Sequence, residues 1–313
     1  MKRLVAVILT VALLAWLVRN GHWRALAESF ARLPTPVLGL AVLGFAASYA
    51  LRALRVYDEF RADAGGRFAV CLRIVLIHNA MVNIVPFRGG EAAFPLLLRQ
   101  TFGTPLARAV ASLFWFRLQD ALVVGVVAAA VWPGLPPALR AAGVAGLLLF
   151  ALALPRWARA RHDWAKRGAL AARLGKLRDA FADSTRHARF GWLWTVANWS
   201  VKLASQALLL AAILDAGLAT GAAGALGAEL AAILPIQGVA GFGTYEAGAA
   251  AALLPAGIAF EDGLRAALAL HLFVIGCALA AGALAALLIA APKAHGNGNA
   301  PSSCESSSTS PHP

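Results

Sequence analysis

Charge is scarce in this sequence, and acid is scarcer than base: 14% of the 313 residues are charged, with 15 Asp and Glu against 28 Lys and Arg. A soluble fold of this length needs a polar surface, so a cytosolic enzyme and a charged disordered chain are both excluded. Cysteine is scarce too. Cys71, Cys277 and Cys304 are too few and too scattered for a disulfide framework or a zinc site, and read as packing residues plus one in a tail. The sequence has no H-E-x-x-H, no G-x-S-x-G, no P-loop and no Cys pair at metal spacing. No catalytic residue, metal or cofactor is therefore expected, and an intramembrane hydrolase or an ATP-driven pump is disfavoured.

Apolar residues fill the space that charge leaves. They make up 60% of the chain, and the mean hydropathy is +0.70, against roughly 45–50% apolar usage in soluble domains. The expected fold class is all-α, a polytopic membrane helix bundle. The net charge of +13 is gathered between apolar spans instead of on a soluble face with interleaved aromatics, so nucleic acid is not an expected partner. That distribution is the positive-inside signature, which places both termini in the cytoplasm, with attraction to anionic lipid as a consequence.

Along the chain, Leu4 to Val18 reads as an uncleaved anchor, the alternative being a signal peptide cut at Ala25-Leu26-Ala27. Residues 20–33 suit a helix lying in the interface. A span from about Val37 to Leu51 precedes a charged loop with Arg52, Arg55, Arg61 and Arg67 against Asp58, Glu59 and Asp63. Fuller spans follow at 107–132, 138–154, 192–214 and 264–291. Residues 156–190 carry ten Lys and Arg against three acids, the strongest cytoplasmic marker, and Leu170, Leu174, Leu177 and Phe181 recur there at helical spacing as if resting on anionic headgroups. Residues 1–291 thus form one transmembrane domain of two pseudo-repeats, about 1–155 and 191–291, joined by 156–190. Residues 292–313, rich in Ser, Pro, Gly and Asn, form a tail expected to be disordered.

Two stretches break this pattern in the same way. Residues 69–105 are interrupted at Pro86-Phe-Arg-Gly-Gly-Glu91, and residues 222–256 at Pro235-Ile-Gln-Gly-Val-Ala-Gly-Phe-Gly-Thr-Tyr-Glu246. Short apolar pieces around a Pro and Gly break suggest broken or re-entrant hairpins. Because both basic loops must lie inside, parity makes the two hairpins inverted, entering from opposite faces and meeting near the midplane, as in secondary transporters. Stretches of 12 to 17 residues also leave full spanning open, against the roughly 20 that a transmembrane helix needs.

The candidate substrate-binding or gating residues are Arg88, Glu91, Arg117, Asp120, Gln237 and Glu246, with break glycines Gly89, Gly90, Gly238, Gly241 and Gly243. Glycine permits close approach and frees N–H groups at the following half-helix, favouring an anionic group. Glu91 and Glu246 would each cost about 2.5–3.5 kcal/mol at mid-bilayer if unpaired. Proton coupling, or clamping Arg88, Arg99 or Arg117, explains them; so does a first-turn carboxylate at a helix start. Arg117 and Asp120 stand three apart and share a helix face. Arg73, Arg88, Arg99 and Lys202 lack a local counterion, and a guanidinium fork matches phosphate oxygens. His78, Asn79, Asn83, Asn198, Gln206 and Gln237 are polar in apolar context, either interhelical glue or cavity lining.

In order and spacing, Pro86 to Glu91, Arg117-x-x-Asp120 and Pro235 to Glu246 resemble the transmembrane region of the lysylphosphatidylglycerol synthase family, the flippase-like UPF0104 group, over roughly residues 1–291. Three positions depart from the family pattern: Phe94 and Tyr245 stand where a basic residue is frequent, and Phe116 where an acid is. The resemblance implies translocation of a lipid or lipid-linked substrate between leaflets of a bacterial inner membrane. It implies no synthase activity, since the chain stops after the membrane part. The expected partners are membrane lipids with anionic headgroups, plus a lipid-biosynthesis enzyme under the alternative reading of a non-catalytic scaffold acting through 156–190. The residues do not select an oligomeric state.

Overall fold

Prolines and glycines cut the apolar sequence into helices. Pro lacks an N–H and favours a first turn, Pro155 inside a helix being an exception, whereas Gly can adopt the left-handed conformation that stops a helix. Pro34 and Pro36 open α1 (Thr35–Glu59). Gly65, at φ +52°, stops the single turn α2 (Arg61–Ala64). α3 (Phe68–Ile84) runs to the first break, after which a 3-10 turn (Gly89–Ala92) leads into α4 (Ala93–Phe102), closed by Gly103 at φ +70°. Pro105 precedes α5 (Leu106–Val131), and Pro136 and Pro137 open α6 (Pro137–Arg159). The basic stretch holds α7 (Ala169–His187), and α8 (Gly191–Ile213) follows. α9 (Leu218–Ile233), a 3-10 turn (Val239–Gly241), α10 (Thr244–Leu253), a turn (Leu254–Ala256) and α11 (Phe260–Leu288) complete the chain.

The computed structural model describes residues 30–85, 89–132, 134–160, 169–233 and 239–289, and among these no strand occurs. The expected anchor at 4–18, most of the interfacial helix at 20–33, and the tail lie outside the described residues. So do Pro86, Arg88, Pro235, Gln237 and Gly238. Five helices, α1, α5, α6, α8 and α11, are long and apolar enough to cross a membrane, while α3 and α9 are shorter apolar helices. The chain is therefore an all-α polytopic bundle.

Packing is organised around α1. It lies against α8 and α3; α3 lies against α11; and α9 packs on α8 and α10, which in turn meets α11. Val56, Ile74, Phe94, Leu98 and Phe116 build one core from α1, α3, α4 and α5. Ala41, Leu209, Leu210, Ala249 and Leu270 build a second from α1, α8, α10 and α11. The stretch of α1 between these cores carries Ser48, Tyr49 and Arg52.

Three expectations change. Arg52, Arg55, Asp58 and Glu59 belong not to a loop but to the last turns of α1. Each is neutralised or hydrogen-bonded by another element: Arg52 bonds Asn79 of α3 at 2.9 Å, and Ser112 of α5 donates to Glu59 at 2.9 Å. Similarly, Asp58 accepts from the Phe190 backbone N–H at 2.7 Å. Second, the basic stretch forms α7, but Phe181 faces protein. Its ring stands edge-on to Trp115 at 5.5 Å and to Phe114 at 5.8 Å, so α7 docks on α5 with this residue instead of laying it on headgroups. Third, Lys202 does have a counterion, Glu229, supplied by the neighbouring helix α9.

The second broken segment is tightly closed. A Cβ added to Gly227 would lie 2.4 Å from the Gly248 carbonyl oxygen, and one on Gly248 would lie 2.6 Å from that of Gly227. Only hydrogen fits at either position, so α9 and α10 meet backbone to backbone.

Candidate functional site

Between the two cores lies a cavity of about 390 Å³. Its polar lining comes from six helices: Ser48, Tyr49 and Arg52 on α1, Asn79 and Asn83 on α3, Arg117 and Asp120 on α5, Lys202 on α8, Glu229 on α9 and His271 on α11, with Glu91 from the first break. A charge at bilayer depth costs about 2.5–3.5 kcal/mol unless it is compensated. Here every lining cation has an acid close by. Arg117 Nη2 stands 2.6 Å from Glu91 Oε1, Lys202 Nζ 2.7 Å from Glu229 Oε1, and Arg52 Nη2 4.0 Å from Asp120 Oδ2.

The strongest contacts of Asp120 are with residues that the sequence did not single out together. Arg55 Nη1 donates to its Oδ1 at 2.7 Å, and Trp199 Nε1 donates at 3.0 Å. Arg117, its expected partner, is 3.8 Å away and bonds Glu91 instead. Arg55 also donates to Thr195 Oγ1 at 2.9 Å and lies over the Phe116 ring, 4.5 Å from its centre. Arg55 escaped the sequence reading because local spacing pairs it with Asp58 or Glu59 on its own helix. Its true partner is 65 positions along the chain.

Of the break residues, Gly90 sits where a Cβ would lie 2.1 Å from the Met81 carbonyl oxygen, so the 3-10 turn presses directly on α3. This brings Glu91 within 3.5 Å of His78 Nε2. In the second break, Gly241 and Gly243 both have φ +86°, a conformation that other L-residues rarely adopt, and Ala240 is held at φ +54°. Gly241 lines the cavity. Glu246 accepts a hydrogen bond from the Gly243 backbone N–H at 2.7 Å, capping α10 as a first-turn carboxylate does. Its other oxygen lies 2.6 Å from His271 Nδ1.

The polar residues split between the two roles considered for them. Ser48 donates to Asn198 at 2.7 Å and Gln206 donates to Glu229 at 2.7 Å and Tyr245 at 3.0 Å, which is interhelical bonding. Asn79 and Asn83 both line the cavity, Asn79 while bonded to Arg52. Arg73 and Arg99, on α3 and α4, are not part of the lining.

A match to the lysylphosphatidylglycerol synthase TM region spans residues 3–282. The chain belongs to that family. No curated protein and no solved structure matches it. Phe94, Phe116 and Tyr245 are aromatic rings set against charged or titratable groups. Phe94 lies 5.5 Å from His78, Phe116 lies under Arg55, and Tyr245 stacks on His271 at 4.3 Å.

Proposed function

We propose that this protein is a flippase-like transporter that moves a lipid or lipid-linked, phosphate-bearing substrate between the leaflets of a bacterial inner membrane. The observation that carries this reading is the cavity between the two cores, where three cations each have an acid within 4.0 Å. At about 390 Å³ it falls in the range of roughly 300–1,000 Å³ typical of small-molecule sites, enough for a headgroup while acyl chains remain in lipid. Arg117 and Arg52 supply planar donors suited to phosphate oxygens, and Lys202 supplies a point charge.

The acids make the cations exchangeable. When a phosphate enters, Arg117 gives up part of its contact with Glu91 and gains an equivalent charge-assisted bond, so desolvation is compensated in both states. Opposed entry of the two broken segments would open this site alternately to each leaflet. The cavity favours transport over the scaffold reading, which requires no polar interior.

The test is leaflet exchange of fluorescent lipids with anionic, zwitterionic and cationic headgroups in liposomes containing purified protein. Exchange of phosphate-bearing lipids that falls at least tenfold in Arg117→Met and Lys202→Met, with both variants still folded, is expected. Equal exchange in wild type and both variants, or none for any lipid with and without a pH gradient, rejects the assignment.

A further inference from the structure

His271 was not singled out by the sequence, yet it lines the cavity beside the second broken segment. It lies on α11, and its side chain is only 6% exposed. Tyr245 stacks on its ring at 4.3 Å, with Phe242 at 4.8 Å, so the imidazole has little freedom to turn. Its Nδ1 is 2.6 Å from Glu246 Oε1, and the remaining Glu246 oxygen is occupied by the Gly243 N–H. Both carboxylate oxygens are therefore engaged in holding other groups. His271 and Gly241 line the cavity with Glu246 behind them. The opposite edge of the ring, Cε1 and Nε2, is directed at Gly241: a Cβ there would stand 3.6 and 3.7 Å from these atoms.

A carboxylate on Nδ1 fixes the neutral tautomer as Nδ1–H, leaves Nε2 as the base, and stabilises the imidazolium once Nε2 is protonated. The same division of labour operates between carboxylate and imidazole in acid–base dyads generally. We propose that His271, oriented by Glu246, is the proton-exchange site of this cavity, taking one proton from cavity water at Nε2 and returning it there. An N–H bond forms on uptake and breaks on release, and the dyad alternates between a net charge of −1 and zero.

The other charged and titratable groups of the wall have partners of their own, Glu91 lying between Arg117 and His78. Tyr245 on α10 belongs to a separate hydrogen-bond chain through Gln206 to Glu229 and Lys202. Tyr49 and Arg52 face the cavity from α1, Cys277 lies on α11 itself, and α3 contributes Asn79 and Asn83. Arg52, Lys202 and Arg117 each have an acid partner close by. Glu246 is thus a positioning residue, and His271 is the group that exchanges the proton.

The protonation site stands on geometry alone, whereas its use in driving lipid movement rests on the transport reading above. Two measurements separate these. Nitrogen-15 histidine spectra of the full chain in lipid nanodiscs, with the His271 resonance identified by its loss in His271→Gln, should show Nδ1–H in the neutral ring and reversible gain of one proton at Nε2 on acidification. In Glu246→Gln, which preserves the helix cap, the Nδ1–H preference should disappear. A His271 ring whose spectrum does not change on acidification of the folded protein, or whose tautomer is the same with and without Glu246, overturns the proposal. Leaflet exchange should lose its pH dependence in both variants. PH-dependent exchange that is unaltered in His271→Gln also overturns the proposal, while a titrating His271 in a protein that moves no lipid supports the site and rejects only transport.

Discussion

Replacing Asp120 with Asn keeps the volume and two hydrogen-bond positions but removes one negative charge from the most crowded point of the bundle. Asp120 is 4% exposed. It stands 2.7 Å from Arg55, 3.8 Å from Arg117 and 4.0 Å from Arg52. Glu91 still neutralises Arg117 in the variant, but Arg55 and Arg52 are left with no acid at comparable range among these pairs. Removing one partner of a buried ion pair costs about 3–5 kcal/mol, because the other charge stays buried. At 1.4 kcal/mol per decade, this is a loss of roughly two to three and a half decades in the folding equilibrium.

The assay is reversible unfolding of purified protein in mixed micelles, followed by circular dichroism. Arg55→Met should be similarly destabilising, and the double variant should lose less than the two singles together, since neither charge then remains without the other. The coupling should reach at least about 2 kcal/mol, within the range measured for groups in direct contact. Arg265→Ala is the control: its contacts with Glu261 and Asp262, at 3.6 and 3.4 Å, are exposed, and such pairs contribute no more than about 1 kcal/mol. An Asp120→Asn protein as stable as the Arg265 variant, or a strictly additive cycle, would show that Asp120 is not the counterion around which the cluster is built.

Two further outcomes follow from the packing. A Cβ at Gly221 would lie 2.2 Å from the Ala207 carbonyl oxygen, whereas one at Gly39 meets nothing within 4 Å. Gly221→Ala should therefore force α9 away from α8 at a cost of about 1–3 kcal/mol. Gly39→Ala should be neutral or stabilise α1 by up to about 1 kcal/mol; the same unfolding assay checks both, and equal effects would refute the close approach. Trp115 meets Phe181 at 5.5 Å and Trp192 at 5.7 Å, so Trp115→Ala should cost about 3–5 kcal/mol. It should also release α7, read as faster tryptic cleavage between Arg173 and Arg186. Unchanged cleavage would mean that α7 is held elsewhere.

The legibility of the fold follows from the membrane as solvent. Within lipid, backbone groups must be satisfied inside a helix, so apolar run length and the Pro and Gly between runs set the helices almost directly. The stretches 107–132 and 192–214 emerge as Leu106–Val131 and Gly191–Ile213. The breaks fall where Gly-Gly-Glu91 and Gly-x-Gly-Thr-Tyr-Glu246 stand, because positive φ and backbone contact there require glycine. Reading α1 as ending at Leu51 failed for a physical reason. Arg52 and Arg55 look too costly for a span until their partners are known.

Those partners are what only the tertiary structure decided. Asp120 belongs to Arg55 and Trp199, Lys202 to Glu229, and Glu246 to His271. None of these pairs lies within a helical turn. Helical periodicity governs neighbours three or four residues apart, so Arg117 and Asp120 could be read as sharing a face. Which charge meets which across the bundle depends on helix order, on glycines that let α9 approach α10, and on the depth at which each break places its acid. The sequence by itself determined a helical membrane protein carrying buried charge, since composition and run length set how a chain dissolves in lipid. Only packing determined which charges neutralise one another and which side chains remain to face the cavity.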